Sequence, residues 1–175
     1  MSPVGHSLTG LSLAVLAIPS GATLRVRLLL PVVFVALANL PDWPIPGWGH
    51  DRYDISHSLF VNLALVTAVW VLWGMTRLKQ KLSGRLVALG LTAWLSHILL
   101  DSFYGHGYGI AIFWPFSEGR LSLPINIFNT IDQDLPLSSV RNLRVYGIEL
   151  LAYTPLLLFA CLIRYRTRTD PPASP

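Results

Sequence analysis

The sequence predicts an all-α protein, a polytopic helical bundle with about five membrane-embedded helices. Hydrophobic residues make up 53% of the 175 residues, charged residues only 13%, and the mean hydropathy is +0.53. A soluble domain of this size would not stay dispersed with so few charges. Apolar runs without charges, with basic residues in alternate connections, are typical of helices that enter or cross a bilayer.

Five apolar segments mark the predicted helices in chain order. The first 24 residues contain no Asp, Glu, Lys or Arg, and residues 55–76 contain none over 22 residues. Such lengths can cross a hydrocarbon core of about 30 Å. Shorter apolar segments lie at 28–40, 86–100 and 150–163. These three are short for crossing, but a helical bundle can hold the polar residues that flank them.

The boundaries of the predicted domain depend on how the two ends of the chain are interpreted. An N-terminal apolar stretch can be a cleaved signal peptide, but no Lys or Arg precedes this one, so retention is favoured. The single cysteine, Cys161, has no partner for a disulfide and is predicted to face lipid or to be packing filler. We therefore predict one membrane-embedded domain over residues 1–165 and a disordered, proline-rich basic tail over 166–175.

Basic residues predict the orientation of the bundle. They occupy alternate connections between the apolar segments: Arg25, Arg27, Arg77, Lys79, Lys81, Arg85, Arg164, Arg166 and Arg168. By the positive-inside rule these connections are cytoplasmic, so the N-terminus and the loops 41–56 and 102–145 lie on the other side. Because the net charge of +4 resides in short loops and not on one basic face, no nucleic-acid partner is expected.

Histidines and acidic residues gather on the predicted non-cytoplasmic side. All five histidines belong to it, namely His6, His50, His57, His97 and His106, as do eight of the nine acidic residues. Stability of a membrane bundle requires no such segregation. The clustering indicates a polar site at that end.

The stretch "SHILLD" supplies the first two candidate residues. His97 and Asp101 are four positions apart, so one helix face presents both. Ionisable groups inside a membrane are costly to bury alone, which means that each needs a partner or a cation. Two interpretations stay open for the pair alone: a helix-packing pin, or part of a metal site.

Three further residues lie at helix ends on the same side. Asp42 follows the second apolar segment, His57 precedes the third with Ser56 as the predicted N-cap, and His6 begins the first. Mixed imidazole and carboxylate sets suit zinc or another borderline divalent metal. The sequence therefore predicts a divalent metal, zinc above others, at this end of the bundle.

The long loop 102–145 has two possible roles. Its stretch "YGHGYGIAIFWPF" is rich in aromatic residues and glycines. Loops of this length are usually lids or binding surfaces, while aromatic residues also form belts at membrane interfaces. Both roles are compatible with the sequence.

Several short motifs together resemble a known family. The stretches "GHSLTG", "LPD", "SHS", "SHILLD" and "WPF", over roughly residues 1–120, resemble bacterial inner-membrane-associated metal-dependent hydrolases, some of which are described as LexA-binding. That family is more distantly similar to the zinc-dependent phospholipase C and P1 nuclease group. The resemblance implies a bacterial inner-membrane location and a helical fold that holds zinc.

The resemblance also assigns roles to individual residues. Asp42, His57, His97 and Asp101 match the ligands of one metal centre, where we expect His97 and Asp101 to be catalytic. His6 matches a ligand of a second centre that shares Asp101. His106 is placed like a ligand of a third centre, but no His-x-x-x-Glu follows it and Glu149 is isolated, so this chain departs from a three-metal pattern. His50 is a ligand, a phosphate contact or a plain loop residue.

The function expected from these features is hydrolysis of a phosphoester or phosphodiester, with a lipid head group among the candidate substrates. Arg52 and Arg120 are candidates for phosphate contact, although solvated loop arginines are the commoner case. Two other classes stay open: a transporter with a cation or proton pathway, and a non-catalytic membrane regulator that holds a structural metal.

Overall fold

A computed structural model describes residues 2–45, 54–105 and 109–169, with side chains through Thr167. Six α-helices and one 3₁₀ turn make up the regular structure of these residues. The helices are α1 (Pro3–Ala17), α2 (Leu24–Ala38), α3 (Leu59–Met75), α4 (Leu78–Lys81), α5 (Gly84–Asp101) and α6 (Val140–Thr169), and the 3₁₀ turn is Leu40–Asp42. No strand occurs in the described part of the chain, so the all-α prediction is confirmed there.

Side-chain caps decide where the helices begin. Ser2, Thr23, Ser58 and Ser83 each accept a hydrogen bond from a backbone N–H of the first turn of α1, α2, α3 and α5. The prediction of Ser56 as the cap of α3 is therefore wrong. Since Ser58 caps that helix, His57 lies in the turn that precedes it.

Helix α1 is central, because it packs against α2, α5 and α6. Its contact with α2 is close: a Cβ at Gly10 would lie 2.7 Å from the carbonyl oxygen of Phe34. The buried core between these helices is built largely of small residues with Phe34 among them, namely Ala14, Ala17, Ala38 and Ala93. Small residues let helix backbones approach closely, as in membrane bundles.

The predicted number of membrane-crossing helices is wrong. By length and composition, one helix of the described residues can cross a bilayer, Val140–Thr167, whose most apolar 18-residue stretch has a mean hydropathy of 1.8. Helices α1, α2, α3 and α5 have 15 to 18 residues. At 1.5 Å per residue they reach roughly 22–27 Å, short of the core of about 30 Å. The apolar runs at 1–24 and 55–76 lose length because residues at their ends form turns and the caps Ser2 and Ser58.

Helix α6 is longer than the apolar segment that predicted it. The segment began at residue 150, whereas the helix begins at Val140 and includes the buried Glu149. The Glu149 carboxylate accepts hydrogen bonds from the Ser2 N–H (2.9 Å) and the Gly5 N–H (2.8 Å). These contacts join α6 to the first turn of α1. The acidic side chain is thus accommodated within an apolar helix by capping another one.

The last helix also extends beyond the predicted C-terminal boundary of the domain. Helix α6 continues to Thr169, past the predicted start of a disordered tail at residue 166. Residues 170–175, the rest of that predicted tail, lie outside the described residues.

The long connection before α6 folds back on the bundle. The Leu59 N–H donates to the Ile112 carbonyl oxygen at 2.9 Å, and the Ser58 hydroxyl donates to the carbonyl of Trp114. The "WPF" segment is thereby joined to the turn that carries His57. This part of the loop covers the polar end of the bundle.

Candidate metal centre

Five ionisable side chains meet at one end of the bundle. His6 comes from α1, Asp42 from the 3₁₀ turn, His57 from the turn before α3, and His97 and Asp101 from the last turns of α5. The three imidazoles are fully buried and Asp101 is 2% exposed, while the Asp42 side chain is 28% exposed. All five were predicted from the sequence, and Asp42 is their most accessible member.

Asp101 uses its two oxygens toward different partners. Its Oδ1 lies 3.2 Å from Nε2 of His6, and its Oδ2 lies 3.1 Å from Nε2 of His57 and 3.4 Å from Nε2 of His97. The carboxylate therefore stands between His6 on one side and the other two histidines on the other.

Asp42 approaches the same two histidines. Its Oδ1 lies 3.5 Å from Nε2 of His57 and 3.4 Å from Nε2 of His97. Burial alone would raise the pKa of the Asp42 carboxyl, but hydrogen bonds with His57 and His97 outweigh burial and hold that pKa well below its usual range. The carboxyl is anionic at neutral pH.

Four ligand-type atoms consequently form a compact cluster: Oδ1 of Asp42, Oδ2 of Asp101 and Nε2 of His57 and His97. The two Nε2 atoms are 3.2 Å apart, and the four nitrogen–oxygen separations lie between 3.1 and 3.5 Å. One ligand atom each of His6, Asp42, His97 and Asp101 also lies within 4.8 Å of the others. The four atoms thus form a compact set, with His6 beside it.

The tautomer of His97 follows from its outer contact. Its Nδ1 lies 2.8 Å from the carbonyl oxygen of Ala38, which can only accept a hydrogen bond. Nδ1 therefore carries a hydrogen, and Nε2 faces two carboxylate oxygens, at which a neutral ring would direct a lone pair. That arrangement is repulsive unless a cation, a proton or a metal ion, lies between them. A backbone carbonyl behind a histidine is also the usual outer contact of a metal ligand.

His57 and His6 complete the site from other elements. Nδ1 of His57 lies 2.9 Å from the hydroxyl oxygen of Ser56, an outer contact like that of His97. The His6 ring stacks on the His97 ring at 3.8 Å between centroids. Its Nδ1 is buried without a hydrogen-bond partner among the described residues. A buried polar atom of this kind is uncommon in proteins.

Two residues that the sequence analysis did not identify hold His57 in place. Asn62 of α3 donates from Nδ2 to the carbonyl oxygens of Ser56 (2.8 Å) and Ser58 (2.7 Å), on either side of His57. Its Oδ1 accepts from the Trp94 indole N–H at 2.7 Å. Trp94 belongs to α5, the helix of His97 and Asp101. An asparagine within an apolar helix was the available signal, since such a residue needs buried partners.

Replacement of Asn62 by aspartate is expected to destabilise the fold by about 2–4 kcal/mol. Aspartate loses both donors, faces two carbonyl oxygens and places a charge where Asn62 is fully buried. Thermal and denaturant unfolding in detergent measures the change. The matched control is Asn126→Asp in an exposed loop, with an expected change within about 0.5 kcal/mol. Equal effects of the two variants would contradict the bracing role of Asn62.

The remaining predicted site residues do not join the described cluster. Arg120 donates from Nη2 to Oδ1 of Asp54 at 2.6 Å and from Nη1 to the Gly109 carbonyl oxygen at 3.3 Å. These contacts give Arg120 a role in holding the loop, and its proposed phosphate contact stays a prediction. His50, Arg52 and His106 lie outside the described residues.

Comparison with known proteins gives one match. The family model described as YdjM inner membrane protein matches residues 1–168. No curated protein and no solved structure matches this chain.

Proposed function

This chain belongs to the YdjM inner membrane protein family, and we propose that it is a metal-dependent hydrolase of the bacterial inner membrane. The metal is a divalent ion, zinc above others, held by Asp42, His57, His97 and Asp101. The observation that carries the proposal is the cluster of four ligand-type atoms, in which the contact of His97 Nδ1 with a carbonyl oxygen turns its Nε2 toward two carboxylates.

The spacing of the four atoms supports zinc. Ligand atoms 2.0–2.2 Å from a tetrahedral zinc ion lie about 3.3–3.6 Å from one another. The separations found here, 3.1 to 3.5 Å, are close to these edges of a tetrahedron. Two imidazoles with two carboxylates form a donor set that suits zinc better than magnesium or calcium, which prefer oxygen ligands.

His6 supports a second ion beside the first. His6 contacts Oδ1 of Asp101, whereas the other two histidines contact Oδ2. One carboxylate could therefore bridge two ions. A second ion with His6 and Asp101 as ligands would have positions left for water and substrate. Catalytic zinc sites require such open positions.

The hydrolase chemistry rests on the ions and on the location. A divalent ion at this cluster would polarise a phosphoryl oxygen and lower the pKa of water from about 15.7 to near 7. The substrate class proposed is a phosphoester or phosphodiester. We propose further that the shorter helices are embedded around α6, with the cluster on the non-cytoplasmic side, as the basic residues of the loops favour.

A structural metal is the second candidate, since four protein ligands around one ion are typical of closed structural sites. A cation or proton pathway has less support. Next to His6 on α1, the buried Thr9 and Ser12 hydroxyls donate to carbonyl oxygens of their own helix, Gly5 (3.0 Å) and Leu8 (2.7 Å). They extend no polar route away from the cluster.

Metal analysis joined to an activity assay tests the proposal. Protein purified without chelators is expected to contain one or two zinc ions per chain and to hydrolyse bis-p-nitrophenyl phosphate. Chelation should abolish both properties, and added zinc should restore them. Bound zinc without hydrolysis of any phosphoester favours the structural metal. Absence of metal after zinc is added to the purified protein contradicts both candidates.

A further inference from the structure

An apolar groove lies on the side of the bundle between α2, α3 and α5. Its cavity is about 390 Å³, and it is lined by apolar side chains that include Leu30, Phe34, Leu37, Val69, Leu86 and Trp94. Helices α2 and α3 each pack on α5 and form the two rims. Val33 and Val69 on these rims are 48% and 41% exposed. The groove is thus accessible at its rims.

The absence of a side chain at Gly90 deepens the groove. Gly90 is buried in the middle of α5, and a Cβ there would lie 3.4 Å from Leu37 Cδ1 and 4.0 Å from the tip of the Phe34 ring. An alanine would therefore fit in ordinary contact, while a larger side chain would project into the cavity.

One end of the groove meets the metal cluster. Trp94 lies three residues before His97, and Leu37 precedes Ala38, whose carbonyl oxygen accepts the His97 Nδ1 hydrogen bond. From Leu86 to Trp94 the groove follows α5 for about 12 Å at 1.5 Å per residue. The apolar groove thus ends about one helical turn from the proposed metal cluster.

We propose that the groove holds one acyl chain of a membrane phospholipid whose phosphoester lies at the metal cluster. This inference rests on the proposed function and specifies its substrate as an amphiphile. The polar cluster and the apolar groove match the two ends of such a molecule. Membership of an inner-membrane family supports a lipid environment for the groove.

A hydrocarbon chain fits the groove better than a protein partner. A helix is about 10–12 Å across with its side chains, so it would rest on the rims and leave the floor at Gly90 empty. A single acyl chain is slender enough to reach that floor. A second copy of this chain is the competing occupant that the experiment must separate.

Native mass spectrometry with dipalmitoyl phosphatidylglycerol tests the groove directly. The blocking variants are Gly90→Leu at the floor and Val33→Trp at the rim; the control is Val32→Trp, since Val32 is 65% exposed and does not line the groove. We expect one bound lipid on the wild type and on the control. In the blocking variants lipid affinity should fall about tenfold, as when two methylene groups are no longer buried.

Two binding results would overturn the inference. Equal lipid retention by all four proteins would show a general lipid layer and no specific groove. A dimer of the wild type that both blocking variants dissociate, without a change in bound lipid, would show that a second copy covers the groove. Because Val33 is exposed, its variant keeps the experiment decisive if Gly90→Leu does not fold.

A kinetic comparison separates the groove from the hydrolase proposal. The blocking variants should raise KM about tenfold for dipalmitoyl phosphatidylglycerol and leave hydrolysis of bis-p-nitrophenyl phosphate unchanged. A wild type that hydrolyses neither compound defeats the proposed function, and the mass spectrometry still decides whether an acyl chain binds. If the wild type hydrolyses only the soluble compound, the proposed acyl-chain site is refuted. It is also refuted if the blocking variants lose activity equally toward both compounds.

Discussion

Asp101→Asn is expected to lower zinc affinity by more than 100-fold and to abolish hydrolysis. Asparagine keeps the size of the side chain and much of its hydrogen bonding, but it removes the negative charge that faces His6, His57 and His97. Loss of an outer contact of a metal ligand typically costs about 10–100-fold in affinity, and loss of an anionic ligand should cost more. Bound zinc per chain and zinc titration of the purified variant measure the effect.

The same variant distinguishes a metal site from a helix-packing pin. A helix-packing pin between His97 and Asp101 would survive as a neutral hydrogen bond in Asp101→Asn. The fold would then be intact, and the substitution would not change zinc binding. The matched control is Asp134→Asn, which removes one charge from an exposed loop residue and should leave zinc content unchanged. Wild-type zinc content in Asp101→Asn would refute the site.

His57→Ala is expected to abolish the stabilisation of the protein by zinc. His57 belongs to a different element from His97 and Asp101, yet its Nε2 lies 3.2 Å from Nε2 of His97 and 3.1 Å from Oδ2 of Asp101. A ligand that binds the native state stabilises it by mass action, by about 2.7 kcal/mol at a concentration 100 times Kd. Wild-type protein should therefore unfold at a higher temperature with zinc, and the variant should show little or no such shift.

Ser56→Ala supplies a graded comparison for His57→Ala. It removes only the contact behind His57, between the Ser56 hydroxyl and Nδ1 of His57. Zinc affinity should fall by about 10–100-fold, less than in His57→Ala. If the thermal shift with zinc is the same in wild type, Ser56→Ala and His57→Ala, then His57 is not a ligand.

The positions of the helices were largely predictable, but their lengths were not. Each of the five apolar segments overlaps one long helix, because apolar runs in a bundle form helices that bury their own backbone groups. The error at α3 came from its cap, since Ser58 begins the helix at Leu59 and shortens it to 17 residues. The error at α6 came from Glu149, whose charge ended the apolar run although its carboxylate is satisfied by Ser2 and Gly5.

The resemblance seen in the motifs was informative about family and location. A bacterial inner-membrane family was expected from "GHSLTG", "LPD" and "SHILLD", and the family match over residues 1–168 confirms that expectation. Hydrolysis, zinc and the likeness to phospholipase C have no such support from the comparisons and stay predictions. The two variants above test the metal part of them directly.

The sequence by itself determined which residue types lie at the polar end of the bundle. Helical periodicity placed His97 and Asp101 on one face, and the limits of the apolar runs placed His6, Asp42 and His57 near the same depth. These are local properties, readable from spacing and hydropathy alone.

Only the tertiary structure decided that these residues share one point. The packing of α1, α2 and α5 brings the Ala38 carbonyl behind His97 and so sets its tautomer, and the Trp94–Asn62 contact sets the place of His57. The groove above Gly90 likewise exists because α2 and α3 pack on α5 from two sides. Such contacts join residues distant in the chain, and their distances depend on how side chains of several helices interdigitate, which no local pattern encodes.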